Sequence, residues 1–375
     1  MKLNKAFKYR LYPNKSQATL INKTFGCCRF IYNKMLRDKI DYYNEHKEKL
    51  NNTPAWYKDE FEWLKEVDSY ALCNEQMNLQ VAYNNFFKRP EVRYPKFKSK
   101  KHIKKTYTTS NVNNVIRINN EHKIHLSKLG WVKFVEHRKI PNKYKIKSAT
   151  ISLTPSGKYY ISVLTEYEYD ISIKQLNKSK SLGLDYSSHD FYVDSQNRSP
   201  EHLHHYYRDL QNKLAFHQRK LSHMIKGSNN YQKQKIVIAR IHEKISNQRK
   251  DFIEKESTKL SNLYDIICLE DINMQNMSQS LRLGKSTLDN AFGKFRVRLE
   301  QKMFLQGKQV VKIDKWFPSS KMCRFCGSIN SDLKLSDRVW TCECGQFLNR
   351  DENAAINILK EGLKKITVGT TEIAC

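Results

Sequence analysis

The chain has 375 residues, with 67 Lys and Arg against 38 Asp and Glu, a formal net charge of +29. The length allows two or three compact units, and a hydrophobic share of 39% with 11% aromatics excludes a disordered polyelectrolyte. Such an excess of positive charge calls for a polyanionic partner, and nucleic acid fits better than a membrane surface, because no basic amphipathic helix with a clean apolar face stands out.

Residues 3–12 interleave Leu3, Ala6, Phe7, Tyr9 and Leu11 with Lys5, Lys8 and Arg10, which predicts a half-buried strand with a basic outer face. Pro13 and Asn14 stop it. Residues 15–90 read as helical: Leu20, Phe25, Cys28, Ile31, Tyr32, Met35 and Leu36 recur at helical spacing, and Pro54 breaks the block in two. Trp56, Phe61, Trp63 and Leu64 alternate with acids and read as core, with stacking on bases as the alternative. The run 94–105 holds Lys96, Lys98, Lys100, Lys101, Lys104 and Lys105 beside Tyr94 and Phe97. It fits a solvated linker or a phosphate-contacting segment equally well.

Residues 106–170 read as β structure, with segments around 116–118, 123–126, 131–135, 149–153 and 160–164, the last two joined by a Pro155-Ser156-Gly157 hairpin. The strand at 3–12 can pair into this unit, with the helical block inserted. Residues 201–263 predict an αα-hairpin. Leu210, Leu214, His217, Leu221 and Ile225 form one stripe, and Ile238, Ile241, Ile245, Gln248 and Phe252 the other. Its outer face carries Arg219, Lys220, Arg240 and Arg249 among other cations. The residues after about 364 read as a frayed tail.

Three carboxylates stand out, in three separate places. Asp185 sits in a short apolar strand, Leu182-Gly183-Leu184-Asp185, followed by a turn and a second strand. Glu270 ends the continuous apolar run Ile266-Ile267-Cys268-Leu269, the pattern of a strand covered on both faces, with Asp271 competing as the functional acid. Asp351 precedes Ala355 and Ile358 by four and seven residues, so it shares the inward face of a helix that starts at Asn349-Arg350. Read singly, each is also an ordinary edge or cap acid. Together they suit phosphodiester hydrolysis, in which two divalent ions about 3.5–4 Å apart activate a water and stabilise the leaving alkoxide. Mg²⁺ prefers oxygen ligands, and crowded acids without a cation raise one another's pKa.

Of nine cysteines, Cys323, Cys326, Cys342 and Cys344 form a C-x-x-C and a C-x-C knuckle. Four thiolates on two knuckles predict a closed structural Zn²⁺ site of zinc-ribbon type, in a reducing compartment. No stretch has the length of a membrane-spanning helix, and Met1-Lys2-Leu3-Asn4-Lys5 lacks the apolar core of a signal peptide, so a cytoplasmic protein is expected.

The order of GLDYSSHDFYVDS, IICLEDINM, KWFPSSKMCRFCG, WTCECG and NRDENAAINIL resembles the TnpB family, transposon-encoded relatives of type V CRISPR effectors, over about residues 1–362. The resemblance implies an α/β multidomain chain. A ribonuclease-H-like (RuvC-like) nuclease domain at 181–318 and 346–364 would hold an inserted zinc ribbon at 319–345. A β-barrel-like wedge unit at 1–14 and 106–180 would carry a helical recognition domain at 15–105, and 365–375 would be tail. It places Asp185, Glu270 and Asp351 at the catalytic, Mg²⁺-binding positions and the four cysteines at the zinc positions. It further implies a guide RNA from the transposon end, a double-stranded DNA target, and one protein per guide RNA. Two departures are visible: Tyr186-Ser187-Ser188 replaces a Gly-containing turn, and Asn349 stands where an acid often precedes Arg-Asp. The alternatives are a nuclease-inactive RNA-guided repressor and a guide-free transposase acting in recombination.

Overall fold

Alternation along the first strand sets the register of the first half of the chain. In the computed structural model, which describes residues 1–101, 104–171, 175–201, 203, 205–274, 291–334 and 336–368, Phe7, Tyr9 and Leu11 of β1 (Lys2–Tyr12) are almost fully buried. Asn14 then starts α1 (Lys15–His46) through a capping box: its side chain accepts from the Gln17 amide at 2.8 Å, and the Gln17 side chain accepts from the Asn14 amide at 3.0 Å. The helix ends at His46 with Lys47 in the left-handed conformation, well before Pro54. A single turn, α2 (Tyr57–Glu60), leads to α3 (Ser69–Lys88).

Six more strands follow: β2 (Lys105–Ser110), β3 (Arg117–Ile118), β4 (Lys123–Leu126), β5 (Gly130–Val135), β6 (Lys145–Leu153) and β7 (Tyr159–Glu168). They join β1 in one antiparallel sheet of order β2-β6-β7-β1-β5-β4-β3, with β1 paired to β7 from Lys2↔Glu168 to Leu11↔Tyr159. Ile21, Ile31 and Met35 of α1 and Leu72 and Leu79 of α3 pack into the same apolar core as Phe7, Phe134, Ile151 and Val163 of the sheet. The helices therefore share one core with the strands, within a compact unit Met1–Tyr169. Leu64 is buried there as expected, but Trp56 and Trp63 are 60% and 41% exposed. Tyr57, Leu64 and Val67 fill the core from this connection, and Trp63 packs edge-on against Phe30.

The second unit, Asp170–Cys375, is built on a mixed sheet. Its strands are β8 (Ser181–Ser187), β9 (Phe191–Asp194), β10 (Ile266–Glu270) and β11 (Gln309–Ile313), in the order β11-β10-β8-β9, with β9 antiparallel and the other three parallel. The run Ile266-Ile267-Cys268-Leu269 is buried because each face has its own cover. Ile267 and Leu269 join a core with Phe252 and Leu260 of α5 (Asn229–Leu263) and Phe295 and Leu299 of α6 (Phe292–Leu305). Ile266 and Cys268 face the opposite side, where Ile358 of α7 (Arg350–Val368) packs. The αα-hairpin forms from α4 (Tyr206–Ser222) and α5, the latter capped by Ser228. Ile225, assigned above to the apolar stripe, falls in the turn after α4 has ended and is 82% exposed. The last helix continues through Val368 instead of fraying after 364, and residues 369–375 lie outside the described residues. A short ladder of β12 (Val339–Thr341) and β13 (Phe347–Asn349) closes the cysteine region. No described helix is long and apolar enough to cross a membrane.

Two glycines seat α7 on the sheet. A Cβ at Gly183 of β8 would lie 2.1 Å from the Ala355 carbonyl oxygen, and one at Gly362 would lie 2.3 Å from Cys268 Sγ on β10. Only hydrogen at these two positions lets helix and strands approach so closely. Gly183→Ala should therefore destabilise the full chain by ~2 kcal/mol or more, because the obstacle is helix backbone and cannot swing aside. Urea unfolding measures this; an unchanged midpoint would show that α7 does not sit on β8 in this way.

Candidate metal centres

The two strand-borne acids are neighbours by register. Parallel pairing of β8 with β10 reaches Leu184↔Leu269, so Asp185 and Glu270 are the next residue on each strand, at the same C-terminal end. Asp351 lies in the first turn of α7, the helix seated on these strands. Asn349, the residue that departs from an acidic pattern, caps that helix: its side-chain oxygen accepts from the amides of Asp351 at 3.1 Å and Glu352 at 3.2 Å.

The electrostatics link all three acids. Burial first, then the charges of Glu270 and Asp351, push the Asp185 carboxyl well above the usual carboxylate range, opposed by Arg350 and the Tyr186 amide. Burial also raises Glu270, against a hydrogen bond from the Ser319 hydroxyl. Asp351 is held from both sides, by Arg338 Nη1 at 3.0 Å on one oxygen and by Arg350 Nη2 at 3.0 Å on the other. Asp271 has its side chain 59% exposed beside Arg296, at 3.5 Å, so of the two neighbouring acids it is Glu270 whose charge reaches Asp185. The acids offer hard oxygen ligands of the kind Mg²⁺ takes, and two guanidinium groups already lie among them. Their oxygens are not drawn together as a ready ligand group, and both Asp351 oxygens are engaged by Arg338 and Arg350 instead.

The cysteines are drawn together. Among the described residues they are the one group of ligating atoms gathered for a metal, with all four sulfurs within 4.8 Å of one another. Cys323 and Cys344 sulfurs are 3.8 Å apart and those of Cys326 and Cys342 3.5 Å, close to the edge of about 3.8 Å of a tetrahedron with Zn–S bonds of about 2.3 Å. The C-x-C knuckle thus reaches its vertices despite being one residue shorter. The four residues fit zinc and leave no open position for chemistry.

Of the basic residues singled out, Lys96, Lys100, Lys101, Lys104 and Lys105 are exposed in the first unit, and Arg219, Lys220 and Arg240 on the αα-hairpin, where Arg249 is half-buried. Lys98 departs from the expectation of a phosphate contact. Its ammonium is paired with buried Glu75 and lies 4.0 Å from the Tyr32 ring centroid, while its backbone is bracketed by Asn33. It is a structural lysine at the side of a cavity of about 460 Å³ that Arg29, Lys100, Lys104 and Lys105 also line. Sequence reasoning did not single out Arg338, Ser319, Asn353 or Asn357, each of which touches an acid or the cysteine segment.

Comparison with known proteins places the chain. It is 32% identical over 98% of its length to a Streptomyces pristinaespiralis protein named "Putative RNA-guided DNA endonuclease", covering 91% of that relative. An Escherichia coli protein, "Putative RNA-guided DNA endonuclease InsQ", is 30% identical, with 98% of this chain and 95% of the relative covered. A TnpB-like protein of Acanthamoeba polyphaga mimivirus is 36% identical over 134 residues, 34% of this chain and 25% of that protein. The chain belongs to the TnpB family. Within this TnpB chain, residues 162–281 match a family model described as "Probable transposase" and residues 292–358 one described as "Cas12f1-like, TNB domain". Residues 1–48 match a model described as "Helix-turn-helix domain", although here they form β1 and the single long helix α1. A cryo-EM structure of a Cas12f1–sgRNA–target DNA complex superposes with a TM-score of 0.57 at 11% identity, covering 96% of this TnpB chain and 99% of that one, which is a likeness of fold.

The raised Asp185 carboxyl has a consequence for stability. Its folded form binds the proton more tightly than the unfolded chain does. The resulting stabilisation is complete below the ordinary carboxylate pKa of about 4 and is lost as pH rises through the raised value. Asp185→Asn should then melt above the unaltered chain near neutral pH in magnesium-free buffer, with the gap closing as pH falls toward about 4. Equal melting temperatures near neutrality would mean that burial and the neighbouring acids do not raise the Asp185 carboxyl in the folded chain.

Proposed function

We propose that this TnpB chain is a transposon-encoded, RNA-guided DNA endonuclease that hydrolyses phosphodiester bonds at a RuvC-like, metal-dependent site formed by Asp185, Glu270 and Asp351. The observation that carries the reading is geometric: strand register sets Asp185 beside Glu270 on β8 and β10, and Asp351 stands in the first turn of α7, the helix seated on those two strands. A sheet whose strand order is β11-β10-β8-β9, with one antiparallel edge, suits a ribonuclease-H-like assignment. The names of the near-full-length relatives and the fold likeness to Cas12f1 point the same way.

In this reading the three carboxylates hold Mg²⁺, and the bound metal supplies an activated water and charge stabilisation at the leaving oxygen. The remaining work falls to the protein. The parallel register of β8 and β10 fixes Asp185 beside Glu270, and the Asn349 cap fixes the turn that presents Asp351. Arg338 and Arg350 keep the Asp351 carboxylate oriented. Lys96, Lys100, Lys101, Lys104, Lys105, Arg219, Lys220, Arg240 and Arg249 contact phosphates of guide RNA and target DNA, with base pairing supplying sequence choice. The first unit serves as wedge and recognition module, and the cysteine ribbon holds structural Zn²⁺.

The decisive comparison uses protein purified with its copurifying RNA. Asp185→Ala should reduce Mg²⁺-dependent cleavage of a guide-matched duplex to background while retaining the RNA. Undiminished cleavage by that variant would refute the assignment, and full activity after RNA removal would favour a guide-free transposase.

A further inference from the structure

Glu270 is the last residue of β10, paired with Ile313 of β11. Among the described residues, Ser319 is the one hydrogen-bond partner of its carboxylate. Ser319 is itself buried, yet it belongs to an irregular stretch that has no ladder of its own to fix it. Turn hydrogen bonds around Pro318 shape it locally, and α7 fastens it from outside. The Asn357 side-chain nitrogen donates to the Ser319 carbonyl at 2.8 Å and to the Met322 carbonyl at 2.7 Å. One turn earlier, the Asn353 nitrogen donates to the same Met322 carbonyl at 2.7 Å, and its oxygen accepts from the Arg324 amide at 3.0 Å.

Asn353 and Asn357 are 0% and 3% exposed, on a helix face otherwise made of Ala354, Ala355 and Ile358. Buried carboxamides are costly unless satisfied, and these are satisfied by the backbone on either side of Cys323. Two more contacts fasten the same knuckle to the helix: Arg324 to Glu352 at 2.6 Å, and Lys360 to the Arg324 carbonyl at 2.6 Å.

We infer that Ser319 is a positioning residue for Glu270, held by Asn357 of α7, which together with Asn353 also grips the backbone of the first cysteine knuckle. The inference rests on the three-acid metal site proposed above and assigns Ser319 a part in it without making it a ligand. Groups that orient a metal ligand from behind typically contribute ten- to a hundredfold in metal affinity. A hydroxyl that merely filled space beside β10 would contribute to folding and nothing to metal binding.

Mn²⁺ titration calorimetry on the full-length chain, free of guide RNA, separates these cases when zinc content is measured on each variant. The heat that disappears in Asp185→Ala defines the acid site. Ser319→Ala should weaken that isotherm by roughly ten- to a hundredfold with zinc retained. Ser319→Thr, which keeps the hydroxyl, should restore most of it. Asn357→Asp replaces a donor facing two carbonyls by an acceptor, and should weaken Mn²⁺ binding as Ser319→Ala does. Unaltered affinity in Ser319→Ala, or equal loss in Ser319→Thr, would overturn the positioning role while leaving the three-acid site standing. An unsubstituted chain whose titration already matches Asp185→Ala would instead remove the metal site itself, and this inference with it.

Discussion

The close seating of the last helix on the parallel strands is the constraint on which the candidate site depends. Asp351 has no sequence proximity to Asp185 or Glu270. It reaches them because α7 lies directly on β8 and β10, and it lies there because Gly183 and Gly362 present no side chain at the two crossing points. Apolar burial of Ile266, Cys268, Val311 and Ile358 supplies the driving force for that contact. The same contact brings a carboxylate toward two others, which is unfavourable in itself. Burial of the sheet thus offsets an electrostatic cost concentrated at one end of it, as is common where binding chemistry and stability compete.

The cysteine region shows the opposite balance. Four sulfurs near the spacing of a zinc tetrahedron form a centre complete without any other residue. Its contribution to the rest of the unit passes through hydrogen bonds and ion pairs to α7, several of them made by buried side chains. The ribbon and the acids are therefore two centres on one helix: Asp351 and Asn353 in the first turn, Asn357 in the next. A displacement of that helix would disturb both.

Much of this arrangement was legible because the responsible residues sit in strong local patterns. Asp185 and Glu270 punctuate apolar runs, Asp351 sits on the apolar face of a helix start, and paired cysteines have few other uses in a reducing compartment. The residues that connect the centres were not legible. Ser319 and Glu270 are 49 positions apart, and Ser319 and Asn357 are 38 apart; neither pair has a local periodicity to announce it. A glycine inside a strand signals a close approach without saying to what, so Gly183 gives no hint of Ala355. Lys98 looked like its neighbours in a charged run, and only the fold supplies Glu75, 23 positions earlier, to engage it. Trp56 and Trp63 read as core from composition, but in the connection between α1 and α3 it is Tyr57, Leu64 and Val67 that are buried.

The central claim is that the carboxylates of Asp185, Glu270 and Asp351 share bound divalent metal. Anomalous diffraction at the manganese edge, on crystals of the guide-bound protein grown with Mn²⁺, tests it directly. The account predicts anomalous density between those three side chains, separate from a zinc peak among Cys323, Cys326, Cys342 and Cys344. Manganese density only elsewhere on the protein or RNA, with the three acids still paired to Arg338, Arg350 and Ser319, would contradict it.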